Sequence, residues 1–187
     1  IIVQENATLI LRNALLNFMQ LGNYQFNMTF QNPVNGHPRL AVENATICSN
    51  NHSMRVYFFG NSSASINNVL SLDEILVSFL DDSIALISNS IFKRLDSFNN
   101  SIIWFVNSTS EIYSIYQRSK IYCCWYLDVH VIDDVGQDVP SANVTATHPN
   151  ATLAESKLTV GNGWARLTLM EKVENTTGDF PVGNYTI

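Results

Sequence analysis

Eleven Asn-x-Ser/Thr triplets, none with proline in the middle, are the residues whose type and spacing could do chemistry in this chain. Their asparagines are Asn6, Asn27, Asn44, Asn51, Asn61, Asn99, Asn107, Asn143, Asn150, Asn175 and Asn184. The chain holds 22 Asn and 30 Ser plus Thr in 187 residues. Random order would yield roughly three or four such acceptors, so the excess is about threefold. That chemistry is attachment of N-linked glycan to the surface loops of a secreted chain. The competing reading is that a β-protein rich in Asn, Ser and Thr produces some of these triplets through its turn chemistry alone.

Other reactive side chains are dispersed. Asp73, Glu74, Asp81, Asp82 and Asp96, with Lys93 and Arg94 nearby, are the groups a polysaccharide lyase or hydrolase would have to bring together. Asp82 and Asn100 occupy the same repeat position, so the acid does not recur as a pair; solvated corner residues are the competing reading. Asp133, Asp134 and Asp138 could hold Ca²⁺, but their spacing is not that of an EF-hand loop and reads as a turn. His37, His52, His130 and His148 show no metal-ligand spacing. Cys48, Cys123 and Cys124 make no disulfide framework, and vicinal cysteines on a strand point to opposite faces. Buried thiols are expected, with a single bridge from Cys48 as the alternative. Trp104, Trp125 and Trp164 lie in strand patterns and read as core or junction packing, with a sugar-stacking platform as the alternative. No catalytic residue, metal site or cofactor is assigned.

Composition narrows the class. Apolar residues make up 46% and charged residues 14%, which suits a packed core and not a disordered chain. Net charge is −6, and Lys93-Arg94 is the densest basic spot, which argues against nucleic acid. The apolar run Ile121 to Leu127 is far too short for a transmembrane segment. The chain begins at Ile1 and stops at Tyr185-Thr186-Ile187 within a strand pattern, so it reads as a mature form or a fragment.

The elements that would position these residues repeat. Ser83-Ile-Ala-Leu-Ile-Ser-Asn89 recurs 18 residues later as Ser101-Ile-Ile-Trp-Phe-Val-Asn107, and again as Ser119-Lys-Ile-Tyr-Cys-Cys-Trp125. Looser copies end at Asn13, Asn44 and Asn68, with Asn-to-Asn spacings of 31, 24, 21 and 18. A period near 20 with strand content predicts a right-handed parallel β-solenoid, or β-helix, over residues 1–124. Six coils would stack on the order of 25 Å high. Leu9, Leu11, Ala85, Ile87, Ile103 and Phe105 face inward. The terminal Asn suits a left-handed turn and a side-chain ladder. Gln20 to Pro38, with Asn32-Pro33 and Asn35-Gly36, reads as an inserted loop or hairpin. Helices over Leu9–Met19 and Asn68–Leu86 are the competing assignment.

From Trp125 the pattern becomes clean alternation, Tyr126-Leu-Asp-Val-His-Val-Ile132. Further strands are predicted over Val139–Thr147, Trp164–Met170 and Gly183–Ile187, with turns at Asp133–Gly136 and Asn162-Gly163. This is a small β-sandwich over 125–187, incomplete at its end. No Gly/Ser/Pro linker precedes it, so rigid docking is expected. Asp133…Gly136…Val139-Pro140…Ala142…Val144, then Gly163…Ala165 and Tyr185, resemble the immunoglobulin-like, carboxypeptidase-regulatory-like repeats of bacterial and archaeal surface proteins. The upstream repeats resemble the right-handed β-helix that precedes such modules in archaeal secreted proteins. The resemblance implies an extracellular, cell-surface structural protein with no catalytic residues to transfer.

The expectation is an all-β, N-glycosylated structural or adhesive protein, such as a surface-layer or filament subunit. Its partners would be N-linked glycans and further copies or neighbouring surface proteins, joined through edge strands, with Ile1-Ile2-Val3 as a strand donor. The alternatives are a carbohydrate-active β-helix enzyme and a carbohydrate-binding module.

Overall fold

The computed structural model describes residues 1–32, 35–71 and 74–187. Pro33 of the expected turn and the candidate acid Asp73 lie outside these. Among the described residues the chain is all-β, with no helix over either competing stretch. The first strands are β1 (Ile2–Gln4), β2 (Thr8–Arg12), β3 (Leu15–Asn17), β4 (Asn27–Gln31), β5 (Arg39–Cys48) and β6 (Met54–Phe58). Then come β7 (Ser63–Ser71), β8 (Ile75–Phe79), β9 (Ile84–Ser88), β10 (Ile91–Ser97), β11 (Ile102–Val106) and β12 (Thr109–Ile115). The end of the chain forms β13 (Lys120–His130), β14 (Asn143–Thr147), β15 (Leu153–Leu158), β16 (Trp164–Asn175) and β17 (Gly178–Pro181).

The repeats build a β-solenoid of about four turns, whose rungs turn through three faces. On the first face β5, β7, β9 and β11 stack in parallel, with β2 and β13 added at the two ends. Inward positions fall in register: Leu9, Leu40, Ala64, Ala85, Ile103 and Ile121 form one column. Leu11, Val42, Ile66, Ile87, Phe105 and Cys123 form the next. These strands form because alternation puts one apolar set inside, and only stacking on a neighbouring rung removes that set from water. The second face stacks β3, the ends of β5 and β7 and the starts of β10 and β12, and the third stacks β1, β4, β6, β8 and the ends of β10 and β12. Inside it Phe30, Phe58 and Phe79 stack with ring centroids 4.7 Å apart, the spacing of the strands themselves.

The corners follow from backbone chemistry. Asn13, Asn44, Asn68, Asn89 and Asn107 all have φ between 46° and 53°, the left-handed turn expected of them. The corner between the third and first faces uses the same conformation at Glu5, Gly60, Asp81, Asn99 and Gln117. Gly36 sits where a Cβ would come within 2.3 Å of the Glu5 backbone in the rung before, so only glycine fits.

Two expectations are corrected. The segment Gln20 to Pro38 is not merely an inserted loop: it contains β4, a full rung strand whose Met28 and Phe30 are buried in the core. Five residues of alternation were hidden there by the longer spacing around them. Ile1-Ile2-Val3 is not a free donor either. Ile2 pairs with Thr29, and the Ile1 ammonium donates to the Asn27 carbonyl at 2.8 Å.

At its far end the solenoid changes strand direction. β13 is parallel to β11 through Cys124 and runs on without a break to His130. β16 returns antiparallel along the whole of β13, from Ile121↔Glu174 to His130↔Trp164, and β17 follows antiparallel on β16. A second, two-stranded sheet, β14 with β15, lies over this end. Its Val144 and Ala146 pack on Ala165 and Leu167, flanked by Leu127, Val129, Val131, Leu169 and Tyr185. Gly163 turns the chain into β16 with φ of 73°, and a Cβ there would meet the Val131 carbonyl at 2.7 Å. The expected last strand, Gly183–Ile187, is reduced to one bridge, Thr147↔Thr186.

Candidate functional site

Nine of the eleven triplet asparagines are exposed, and Asn99 and Asn175 are half-buried. Their places follow the architecture. Asn6, Asn61 and Asn99 lie at the corner between the third and first faces, and Asn44 and Asn107 at the corner between the first and second. Asn51 is in the loop before β6; Asn27 and Asn143 open strands and Asn175 closes one. Asn150 and Asn175 adopt one local form, in which Oδ1 accepts both the backbone N–H and the hydroxyl of the threonine two residues on. Bonding of that kind is why Asn followed by Thr sits at turns.

The asparagine corner is a ladder of side-chain amides. Asn44 Nδ2 donates to Asn13 Oδ1 at 3.2 Å, and Asn68 to Asn44 at 2.9 Å. Asn107 donates to Asn89 at 3.0 Å, while Asn89 shifts to Asn67 Oδ1, also at 3.0 Å. Beside this ladder runs a groove of about 700 Å³ lined by Asn13, Asn44, Asn68 and Asn89 and by Leu15, Leu70 and Ile91.

The candidate acids go to different places. Asp81 and Asp82 share the opposite corner with Asn99, Asn100, Gln117 and Arg118. There Asp81 accepts from Asn99 Nδ2 at 2.6 Å and Asp82 from Asn100 Nδ2 at 3.1 Å. Glu74 lies on the third face with Lys93, Arg94 and Glu111. It accepts the Ser53 hydroxyl, and Lys93 pairs with Glu111. Asp96 is buried beside Arg94. In the end module Asp133 Oδ1 accepts the N–H groups of Val135 and Gln137, the turn expected, and Asp138 bonds His130 at 2.8 Å. None of the three cysteines forms a disulfide, so the bridge from Cys48 is not made.

Trp125 lies at the junction, on β13 with its Nε1 donating to Glu171 of β16, but core packing is not found for any of the three tryptophans. Trp104 is 38% exposed, and Trp125 and Trp164 are each 43% exposed, so none is core. Each falls on the outward phase of its strand, a choice that composition alone does not make. Trp104 stacks on Tyr122 of the next rung at 4.4 Å, and Trp164 on His130 at 4.5 Å.

One cluster was not foreseen. At the closed end of the solenoid, Glu174 is only 2% exposed. It accepts the Tyr113 hydroxyl at 2.8 Å, pairs with Lys172 and lies 3.6 Å from the Cys123 sulfur. Lys172 also reaches Asp179 at 3.1 Å. A cleft of about 290 Å³ adjoins this cluster, lined in part by Trp125, Ser108 and Ser110. Burial and the neighbouring Glu174 push the Cys123 thiol up to about 12, and burial pushes Cys124 to about 11. Burial and its bond to Glu174 raise Tyr113 as well, while the Glu174 carboxylate raises Lys172. The thiols are therefore neutral and poor nucleophiles. Tyr113 and Glu174 are 61 residues apart, and the strand predicted to end at Met170 in fact continues to Asn175. Extending the alternation by four residues would have set Lys172 and Glu174 on one face.

Fold and corners together define an all-β solenoid closed at one end by antiparallel strands and a second small sheet. No protein-family model matches the chain, and no curated protein or solved structure does either.

Proposed function

We propose that this chain is a secreted, N-glycosylated structural or adhesive protein of the cell surface, such as a surface-layer or extracellular filament subunit. The observation that carries this reading is the placement of the eleven triplets. All lie at corners, loops or strand ends, on exposed or half-exposed asparagines, where glycan can project without disturbing a rung. On this reading the second sheet and the strands around it are the immunoglobulin-like module of bacterial and archaeal surface proteins. Neighbouring copies would pair through edge strands.

A carbohydrate-active enzyme or carbohydrate-binding module is the second reading, and Trp104 with Tyr122 on one solenoid face is what favours it. One face of each ring is spent on the other at 4.4 Å. Asp81 and Asp82 sit at one corner and Glu74 and Glu111 on the third face, an arrangement that favours the structural reading. The test is site-resolved glycopeptide mass spectrometry on the chain secreted from a glycosylating host. Glycan at a majority of the eleven sites is expected. Secreted protein carrying none would overturn the proposal.

A further inference from the structure

The groove beside the asparagine ladder is partly apolar and, among the described residues, lined by uncharged side chains. Leu70 is 42% exposed and Ile91 51% exposed along it. The residue two places after each ladder asparagine falls in one register column on the second face: Leu15, Thr46, Leu70, Ile91 and Thr109. That column is the groove wall, and it also decides which ladder asparagine is a glycan acceptor. Thr46 makes Asn44 an acceptor in the middle of the groove, and Thr109 makes Asn107 one at the last rung, outside the groove lining. A primary amide carries two N–H groups. Asn44 spends one on Asn13 Oδ1, so the second is available without breaking the ladder.

We propose that Asn44 carries an N-linked glycan whose first sugars lie along this groove, with their C–H faces over Leu70 and Ile91 and their hydroxyls against the amides of Asn68 and Asn89. The inference rests on the glycoprotein reading above. The bond forms between Asn44 Nδ2 and the anomeric carbon of a glycosyl diphosphate donor, supplied by a transferase. The carbon–oxygen bond to the diphosphate breaks, the diphosphate leaves with the electron pair, and one amide proton passes to base. The remaining N–H stays on Asn13. From the Asn44 rung to the Asn89 rung is two strand spacings, about 10 Å, the length of a disaccharide. A neutral wall of amides and aliphatic carbons matches an uncharged sugar, which offers hydroxyls on its rim and C–H groups on its faces.

The test follows release of each glycan by an endoglycosidase acting on the native, secreted full chain, read site by site by mass spectrometry. The Asn44 glycan is expected to be released on the order of tenfold more slowly than those on Asn107 and Asn150, equivalent to about 1.4 kcal/mol of protection. Leu70→Ala with Ile91→Ala should bring the Asn44 rate to within about twofold of the others and leave its occupancy unchanged. Alanine is required, because serine or threonine at either position would write a new acceptor triplet at Asn68 or Asn89. Equal rates in the native protein, or a protection that survives the double substitution, would overturn the inference. So would a vacant Asn44 beside occupied sites elsewhere, with the glycoprotein reading left standing. A secreted chain with no glycan at all would remove both.

Discussion

The side chain with most at stake is Glu174, a buried carboxylate that holds Tyr113, Lys172 and the Cys123 thiol together where the solenoid ends. A buried acid persists only when its lone pairs are satisfied and its charge is met, and those three groups supply both. The thiols beside it set a pH dependence. Folded Cys123 and Cys124 are raised to about 12 and about 11, against about 8.5 for an unfolded cysteine. A raised group contributes its full share below the unfolded value and loses it as pH climbs toward the folded one. Stability should therefore be flat to about pH 8 and fall between about pH 8 and pH 10, where the unfolded thiols ionise and the folded ones do not. Urea midpoints at pH 7.5 and pH 10 measure this, and Cys123→Ala with Cys124→Ala should remove most of the fall. A wild-type midpoint unchanged at pH 10 would refute it. Tyr113 and Cys123 lie 61 and 51 residues before Glu174, so no local pattern announced their contact with it.

Among elements, the corners carry the fold. Asn89 has φ of 50°, donates to Asn67 and accepts from Asn107. Asn89→Ala loses both bonds and forces a Cβ-bearing apolar residue into the left-handed region, at a cost of about 2 kcal/mol. Asn89→Gly loses the bonds but keeps the turn, and should cost about half as much. Thermal or urea denaturation of the two variants tests the ladder, and equal losses would mean that the turn conformation contributes nothing. The corner asparagines were legible in the sequence because their recurrence is local: each sits at the end of a strand whose apolar phase repeats. Ser83, Ser101 and Ser119 open the three 18-residue copies. Burial of Ser62, Ser83, Ser101 and Ser119 is a property of stacked turns. β4 went unread as a rung because its five residues sit inside a coil 31 residues long.

On the scale of the whole molecule, β13 belongs to two structures at once. Its first half is a solenoid rung parallel to β11, and its length is paired antiparallel with β16. With one strand shared and Glu174 locking β16 to β12 through Tyr113, the solenoid and the end module should unfold together. Far-UV circular dichroism, dominated by the solenoid, and tryptophan fluorescence, which includes Trp125 and Trp164 of the end module, should report one denaturant midpoint. Two midpoints separated by about 1 M urea would show that the end module melts alone. The asparagine ladder stops at this junction for a visible reason: the position 18 residues after Asn107 is Trp125.

The sequence by itself determined the solenoid, its inward columns on the first face, its left-handed asparagine corners and the positions of the eleven Asn-x-Ser/Thr triplets. Each of these is written in residue type and short period, which bind a residue to its near neighbours. Only the tertiary structure decided that the tryptophans face outward, that Ile1–Val3 is taken up by its own chain, and that Glu174 is buried among Tyr113, Lys172 and Cys123. It also decided that Asn44 stands in a groove and Asn107 does not. Those outcomes depend on which strand lies beside which across tens of residues, and stacking settles that only when every rung is in place.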